Sequence, residues 1–121
     1  MAMGDYVQLK LLRDSWLAYL LGQGHRVVET PGNIVVIRSR NGSKKSYRWL
    51  LMTCDGPART LGREERVQLR REIALALRSQ EKPYVVVGFA GEPRRIVLVP
   101  APSALATGIV RSDRGGIAWE D

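Results

Sequence analysis

The stretch Tyr47-Arg48-Trp49-Leu50-Leu51-Met52-Thr53-Cys54 decides the fold, because it is a nearly continuous apolar run of strand length. Runs of this kind are typical of strands that are buried on both faces of a sheet, where the alternation of polar and apolar residues is lost. The turn-forming sequence Asp55-Gly56-Pro57 ends the run. The stretch therefore predicts a central strand over residues 47–54 that is covered by helices on both sides.

Two shorter strands are predicted before this one, at residues 26–30 and 33–38. They are rich in β-branched residues and are separated by Pro31-Gly32. The sequence Arg40-Asn41-Gly42-Ser43 predicts a hairpin turn, because Asn-Gly tolerates positive φ. The three strands together form a meander.

Helices are predicted on either side of the meander, over residues 5–21 and 63–79. The first has apolar residues at three- and four-residue spacing, namely Leu9, Leu12, Trp16, Leu17, Leu20 and Leu21. The second is predicted to bury one face, made of Leu69, Ile73, Ala76 and Leu77. Strands follow at residues 84–89 and 95–99, so the whole pattern is α/β.

The chain has 121 residues, of which 45% are apolar, and this fits one domain. We predict a single α/β domain over residues 1–103 and a partly ordered tail over residues 104–121. No apolar run reaches the roughly 18–20 residues that a membrane span needs. The first residues lack the basic and apolar regions of a signal peptide, which predicts a cytoplasmic location without membrane contact.

Cofactor and metal motifs are absent from the sequence. Cys54 and His25 are the only residues of their types, so a zinc site made of histidine and cysteine lacks ligands. No phosphate loop and no dinucleotide fingerprint occurs. The sequence therefore predicts no cofactor and no metal.

The order of helix, three-stranded meander, helix and strand pair resembles the core of restriction endonuclease-like proteins. This superfamily includes the PD-(D/E)XK nucleases and the archaeal Holliday junction resolvases. The resemblance rests on residues 17–28, 31–37, 62–67 and 82–87, and extends over about residues 5–99. It implies a mixed sheet flanked by helices.

This chain departs from that family at the active site. The resemblance implies a metal-binding aspartate near Asn33 or Ile34 and a Glu-x-Lys motif within residues 50–54, but no acid or lysine is present there. Mg²⁺ requires clustered oxygen ligands. We therefore expect a degenerate site and no enzymatic activity. In the alternative interpretation, Glu29 and Asp55 form a relocated metal pair with Lys44 or Lys45.

The net charge of +7 favours a polyanionic partner such as DNA or RNA. One basic cluster is predicted on the hairpin, interleaved with Tyr47 and Trp49 as stacking faces. Its members are Arg38, Arg40, Lys44, Lys45 and Arg48. A second is predicted on the second helix, where Arg63, Arg66 and Arg70 share one stripe and Arg59, Arg71 and Arg78 lie nearby. Glu64, Glu65 and Glu72 are expected to neutralise part of this second cluster.

The function predicted from sequence is therefore a non-catalytic nuclease-fold domain that binds nucleic acid weakly through its basic hairpin and helix surfaces. Two alternatives stay open. One is a protein-interaction or structural module, with a homodimer formed through an exposed sheet edge at residues 84–89. The other is an active metal-dependent nuclease with relocated ligands.

Overall fold

The computed structural model describes residues 3–28, 30, 32–38, 46–90, 94–113 and 117–118. Three helices and eight strands occur in these ranges. In chain order they are α1 (Met3–Gly22), β1 (Arg26–Val28), β2 (Ile34–Arg38), β3 (Ser46–Cys54), β4 (Ala58–Thr60), α2 (Arg63–Arg78), β5 (Glu81–Phe89), β6 (Arg95–Pro100), α3 (Ala101–Thr107), β7 (Ile109–Arg111) and β8 (Ile117–Ala118).

The main sheet is mixed and has the strand order β1-β2-β3-β5-β6-β8. Strands β1, β2 and β3 form an antiparallel meander, and α2 connects β3 to β5, which runs parallel to it. Strand β6 returns antiparallel to β5. The predicted α/β class, with a mixed sheet flanked by helices, is confirmed. A separate two-stranded sheet pairs β4 with β7.

Strand β3 is central and buried on both faces, as its apolar run predicts. Leu51 packs with Trp16 of α1 in one core cluster. On the opposite face, Leu50 packs with Leu69 of α2 in a second cluster. The two faces of β3 therefore join the two halves of the core.

The apolar faces of the helices are narrower than the sequence predicts. Leu77 near the end of α2 is 80% exposed, so its predicted place on the buried face is wrong. Leu21, the last of the periodic apolar residues of α1, is 62% exposed. Leu69 and Ala76 are buried as expected. None of the helices in the described part of the chain has both the length and the apolar character of a membrane span.

The segment after residue 103 contributes to the core in its described part. The predicted boundary between residues 103 and 104 falls inside α3. Ala104 of α3 and Val110 of β7 are buried in the same cluster as Leu69. Residues 104–110 therefore belong to the domain rather than to a tail.

The sheet edge proposed for dimerisation is not an edge. Strand β5 has β3 on one side and β6 on the other, so its backbone hydrogen-bonding groups are shared between two neighbours. In the described part of the sheet, β1 and β8 are the outer strands. The prediction of an exposed edge at residues 84–89 is therefore wrong.

Candidate nucleic-acid interface and adjacent pocket

A cavity of about 540 Å³ opens at the carboxyl end of β3, beside the first turns of α2. We call it the β3 pocket. Its walls include Leu9 of α1, Asn33 before β2, and Arg59, Glu65 and Gln68 on the opposite side. Residues 51–55 form the remaining wall. The carboxyl ends of strands in α/β sheets are common binding positions.

Two of the polar side chains that line the β3 pocket, Asn33 and Gln68, are neutral amides. Gln68 Nε2 donates a hydrogen bond to Asn33 Oδ1 at 3.2 Å, and Asn33 Nδ2 donates to the carbonyl oxygen of Leu51 at 3.3 Å. The Leu51 amide also donates to the Asn33 carbonyl at 2.8 Å. Asn33 is thus fixed by amide and backbone groups, and it brings no negative charge for a metal ion.

The charged groups around the pocket largely cancel. Arg59 forms an ion pair with Glu65, so it does not join the basic surface that the sequence suggested. Glu65 Oε1 also accepts a hydrogen bond from the Gly62 amide at 2.8 Å. Asp55 is exposed, while Glu29 lies outside the described residues. In the described ranges, no group of three or more His, Cys, Asp or Glu residues is placed to hold a metal ion.

The hairpin cluster is only partly within the structure. Arg40, Lys44 and Lys45 lie outside the described residues, as does the predicted turn at residues 40–43. Arg38 is exposed at the end of β2, and its Nη2 lies 3.9 Å from Glu81 Oε2. Strand β2 ends at Arg38 and β3 begins at Ser46.

Arg48 is an internal ion-pair residue, and its assignment to the nucleic-acid surface is corrected. Its Nε donates to Glu81 Oε1 at 2.6 Å, and its Nη1 donates to Glu72 Oε1 at 2.9 Å. Burial alone would lower the pKa of Arg48, but the hydrogen bonds and charges of Glu81 and Glu72 raise the pKa above its usual value. Arg48 therefore stays charged, and its guanidinium group is bound to Glu81 and Glu72 inside the protein.

The aromatic faces next to Arg48 are also used internally. Trp49 is 5% exposed and meets Trp16 edge to face, with ring centroids 5.4 Å apart. Tyr47 stacks on Trp49 with an angle of 4° between the ring planes. Trp49 is therefore a core residue, and the prediction that it serves as a stacking face for bases is wrong.

The arginines of α2 form an exposed face. All of Arg63, Arg66, Arg70, Arg71 and Arg78 are exposed, and we call them the α2 arginine face. None of them forms an ion pair with another described residue. Glu65 and Glu72 point instead to Arg59 and Arg48. Glu65 therefore neutralises Arg59 of the predicted cluster, but neither acid pairs with an arginine of α2. Glu64 is the exposed carboxylate left on the helix.

The pocket residues were missed by sequence reasoning because their pairing is not local. Asn33 and Gln68 are 35 positions apart. Arg59 and Glu65 are six positions apart and lie in different elements, so no helical or strand period relates them. At Asn33 the family resemblance implies only that a metal-binding aspartate is missing. Searches against protein-family models, curated proteins and solved structures found no match.

Proposed function

We propose that this protein is a non-catalytic domain with a restriction endonuclease-like core that binds nucleic acid through the α2 arginine face. The observation that carries the proposal is the charge of this face. The face has five exposed arginines and one exposed carboxylate, Glu64. The other two acids of α2, Glu65 and Glu72, form ion pairs with Arg59 and Arg48. Unpaired guanidinium groups attract phosphates and release the counterions condensed on them.

The geometry of α2 suits contact with a run of phosphates. Residues spaced by three, four and seven positions, such as Arg63, Arg66 and Arg70, lie along one side of a helix. From Arg63 to Arg78 the helix axis extends about 22 Å at a rise of 1.5 Å per residue. This length covers several phosphates of one strand. Contacts of this kind carry no sequence information, so we expect little sequence preference.

The nuclease-like part of the proposal is supported by topology and by the β3 pocket. An antiparallel meander, a helical crossover and a parallel strand follow one another in the order that the resemblance implies. The pocket lies beside Asn33 and residues 51–54, where the family would hold its metal. Asn33 is a neutral amide and Glu65 is paired with Arg59, which supports binding without hydrolysis. The cytoplasmic location stays a prediction from sequence.

Fluorescence anisotropy with labelled single-stranded and double-stranded oligonucleotides tests the proposal. Affinity should fall steeply as the salt concentration rises. Replacing Arg63 and Arg70 by alanine should weaken binding about equally for all sequences. On duplex DNA, the logarithm of the binding constant falls linearly with the logarithm of the salt concentration. This slope should become less steep by about 0.9 for each phosphate contact that is lost.

The matched control removes two cations from elsewhere on the surface. Lys10 of α1 and Arg26 of β1 are exposed, and α1 packs on the opposite face of the sheet from α2. The double variant Lys10→Ala with Arg26→Ala should bind like the wild type. Equal loss in both double variants would mean that only net charge matters. Absence of binding at low salt, with the protein folded, would contradict the proposal.

A protein-interaction module is the second candidate, and the apolar residues of α2 favour it. Leu77 and Val67 are 80% and 47% exposed, and both lie among the arginines of this helix. This candidate requires the two side chains to belong to a contiguous apolar patch, which is the feature that marks surfaces where proteins associate. Sedimentation that shows a dimer, together with no affinity for any oligonucleotide, would favour this function.

A further inference from the structure

The β3 pocket has the size and the walls of a site for a small planar ligand. Its volume of about 540 Å³ lies within the roughly 300–1,000 Å³ of typical ligand sites. Leu9 is half-buried and supplies aliphatic surface, while Leu51 and Met52 line the base of the pocket from the core. Such surface accepts the face of a flat ring, since burying apolar area is favourable without any directional requirement.

The charges at the pocket disfavour an anion. The guanidinium group of Arg59 is neutralised by Glu65, and its Nη1 also donates to the carbonyl of Thr60 at 2.9 Å. Asp55 adds an exposed carboxylate to the wall. A phosphate would therefore meet no free cation among the described lining residues, and it would be repelled by Asp55. A neutral ligand meets no such penalty.

Several polar groups of the pocket have hydrogen-bonding capacity left. The hydrogen bond from Gln68 to Asn33 uses the amide nitrogen of Gln68, which leaves the carbonyl oxygen of Gln68 as an acceptor. The hydroxyl of Thr53 also lines the cavity. The Gln68 carbonyl can accept a hydrogen bond from the edge of a ring, and a threonine hydroxyl can donate one or accept one.

We propose that the β3 pocket receives one unstacked nucleobase from a single-stranded nucleic acid whose phosphates lie on the α2 arginine face. This inference rests on the proposed function and names its substrate class. A base has an apolar face and a neutral hydrogen-bonding edge, as the pocket requires. Arg71 follows Gln68 by one helical turn and is exposed, so charge for the adjoining backbone lies close to the pocket. A paired base cannot enter, which favours single strands.

The test uses single-stranded oligonucleotides that carry one 2-aminopurine at successive positions and a distant fluorescent label. Anisotropy of the label measures binding, and emission of 2-aminopurine reports loss of stacking. We expect emission to rise on binding, because the described lining residues include no aromatic ring that would quench the base. The single cysteine gives a second readout, since Cys54 lines the pocket. Its reaction with a thiol reagent should slow when the oligonucleotide is bound.

Two variants separate the pocket from the arginine face. Gln68→Leu and Thr53→Val should remove the 2-aminopurine signal and the protection of Cys54. They should weaken binding roughly tenfold, which is the contribution of about one base. Gln23→Leu is the matched control, because Gln23 is exposed after the last turn of α1, and it should leave all three readouts unchanged. Circular dichroism checks that each variant is folded.

The outcomes are distinguishable. Binding that is detected by anisotropy without any change in 2-aminopurine emission or in the Cys54 reaction would overturn the pocket inference and leave the proposed function standing. Equal affinity for duplex and single-stranded oligonucleotides, with no effect of Gln68→Leu, would also overturn it. Absence of binding to every oligonucleotide at low salt would overturn both.

Discussion

Arg48 in β3 and Glu81 at the start of β5 form an ion pair inside the protein, with Nε 2.6 Å from Oε1. The Glu81 side chain is fully buried and the Arg48 side chain is 16% exposed. Glu72 of α2 completes the group at 2.9 Å from Nη1 of Arg48. One guanidinium group thus joins the two parallel strands to the helix that connects them.

This arrangement places two carboxylates beside one internal cation. Taking charges out of water is unfavourable unless each charge has a partner. Arg38 lies 3.9 Å from the second oxygen of Glu81 and supplies a further positive charge from the surface. Removing Arg48 would leave both carboxylates without their main partner.

Replacing Arg48 by methionine should therefore destabilise the protein strongly. Breaking a buried ion pair by removing one partner usually lowers the free energy of unfolding by about 3–5 kcal/mol. Urea denaturation measures this change. The control is Lys10→Met, which removes an exposed pair with Asp14 and should change the free energy of unfolding by less than about 1 kcal/mol. Similar effects in the two variants would show that Arg48 contributes no more than a surface residue.

The contribution of Arg48 should not fall with rising pH in the neutral and moderately alkaline range. Its pKa is raised in the folded protein, so the stability it provides is fully present below the unfolded pKa and is lost only as the pH rises through the folded pKa. The difference in unfolding free energy between wild type and Arg48→Met should not fall between about pH 7 and pH 10, because Arg48 stays charged throughout this range. Urea denaturation at several pH values measures it. A difference that falls within this range would contradict the assigned ion pair.

Replacing Leu51 by aspartate should destabilise the domain severely, because it places an unpaired charge between β3 and α1. A charge buried in this way lowers the free energy of unfolding by several kcal/mol. Leu77→Asp makes the same chemical change at a residue that is 80% exposed, and its effect should stay within about 0.5 kcal/mol. Thermal unfolding of the two variants is compared with that of the wild type. An unchanged melting temperature for Leu51→Asp would show that β3 is not central.

Local sequence patterns predict an element of this fold well when the order of apolar and polar residues shows which faces of the element are buried. The apolar run at residues 47–54 predicted a strand covered on both faces, and β3 has this position. Periodicity failed at Leu77, because a spacing rule places a residue on a helix face without showing how far the neighbouring elements extend. The short strands β4 and β7 were also missed, since three residues give no period.

The roles of the charged residues could not be read from local sequence. Arg48 resembles its basic neighbours on the hairpin, yet its partners Glu72 and Glu81 are 24 and 33 positions away. Only the parallel pairing of β3 with β5 and the packing of α2 bring them together. The same packing turns Glu72 of α2 inward, and a separate ion pair with Arg59 of β4 occupies Glu65. The charge of the α2 arginine face is therefore a property of the fold as much as of the sequence.

The purified domain should not cleave DNA or RNA in the presence of Mg²⁺ or Mn²⁺. Hydrolysis by a metal ion needs oxygen ligands that carry negative charge and a group that orients water. Around the β3 pocket, Asn33 and Gln68 are neutral and Glu65 is bound to Arg59. Labelled single-stranded, double-stranded and branched oligonucleotides, incubated with each ion and separated on denaturing gels, give the measurement.

If cleavage is observed, variants of the acidic residues identify its source. Cleavage that persists in Asp55→Ala and Glu29→Ala, and that separates from the protein on further purification, would indicate a contaminating nuclease. Cleavage that is lost in either variant, while Asp14→Ala retains it, would establish a relocated metal site. Asp14 is a suitable control because it is an exposed acid that forms a surface ion pair with Lys10. That outcome would replace the non-catalytic function with the nuclease alternative, because Asp55 already lines the β3 pocket.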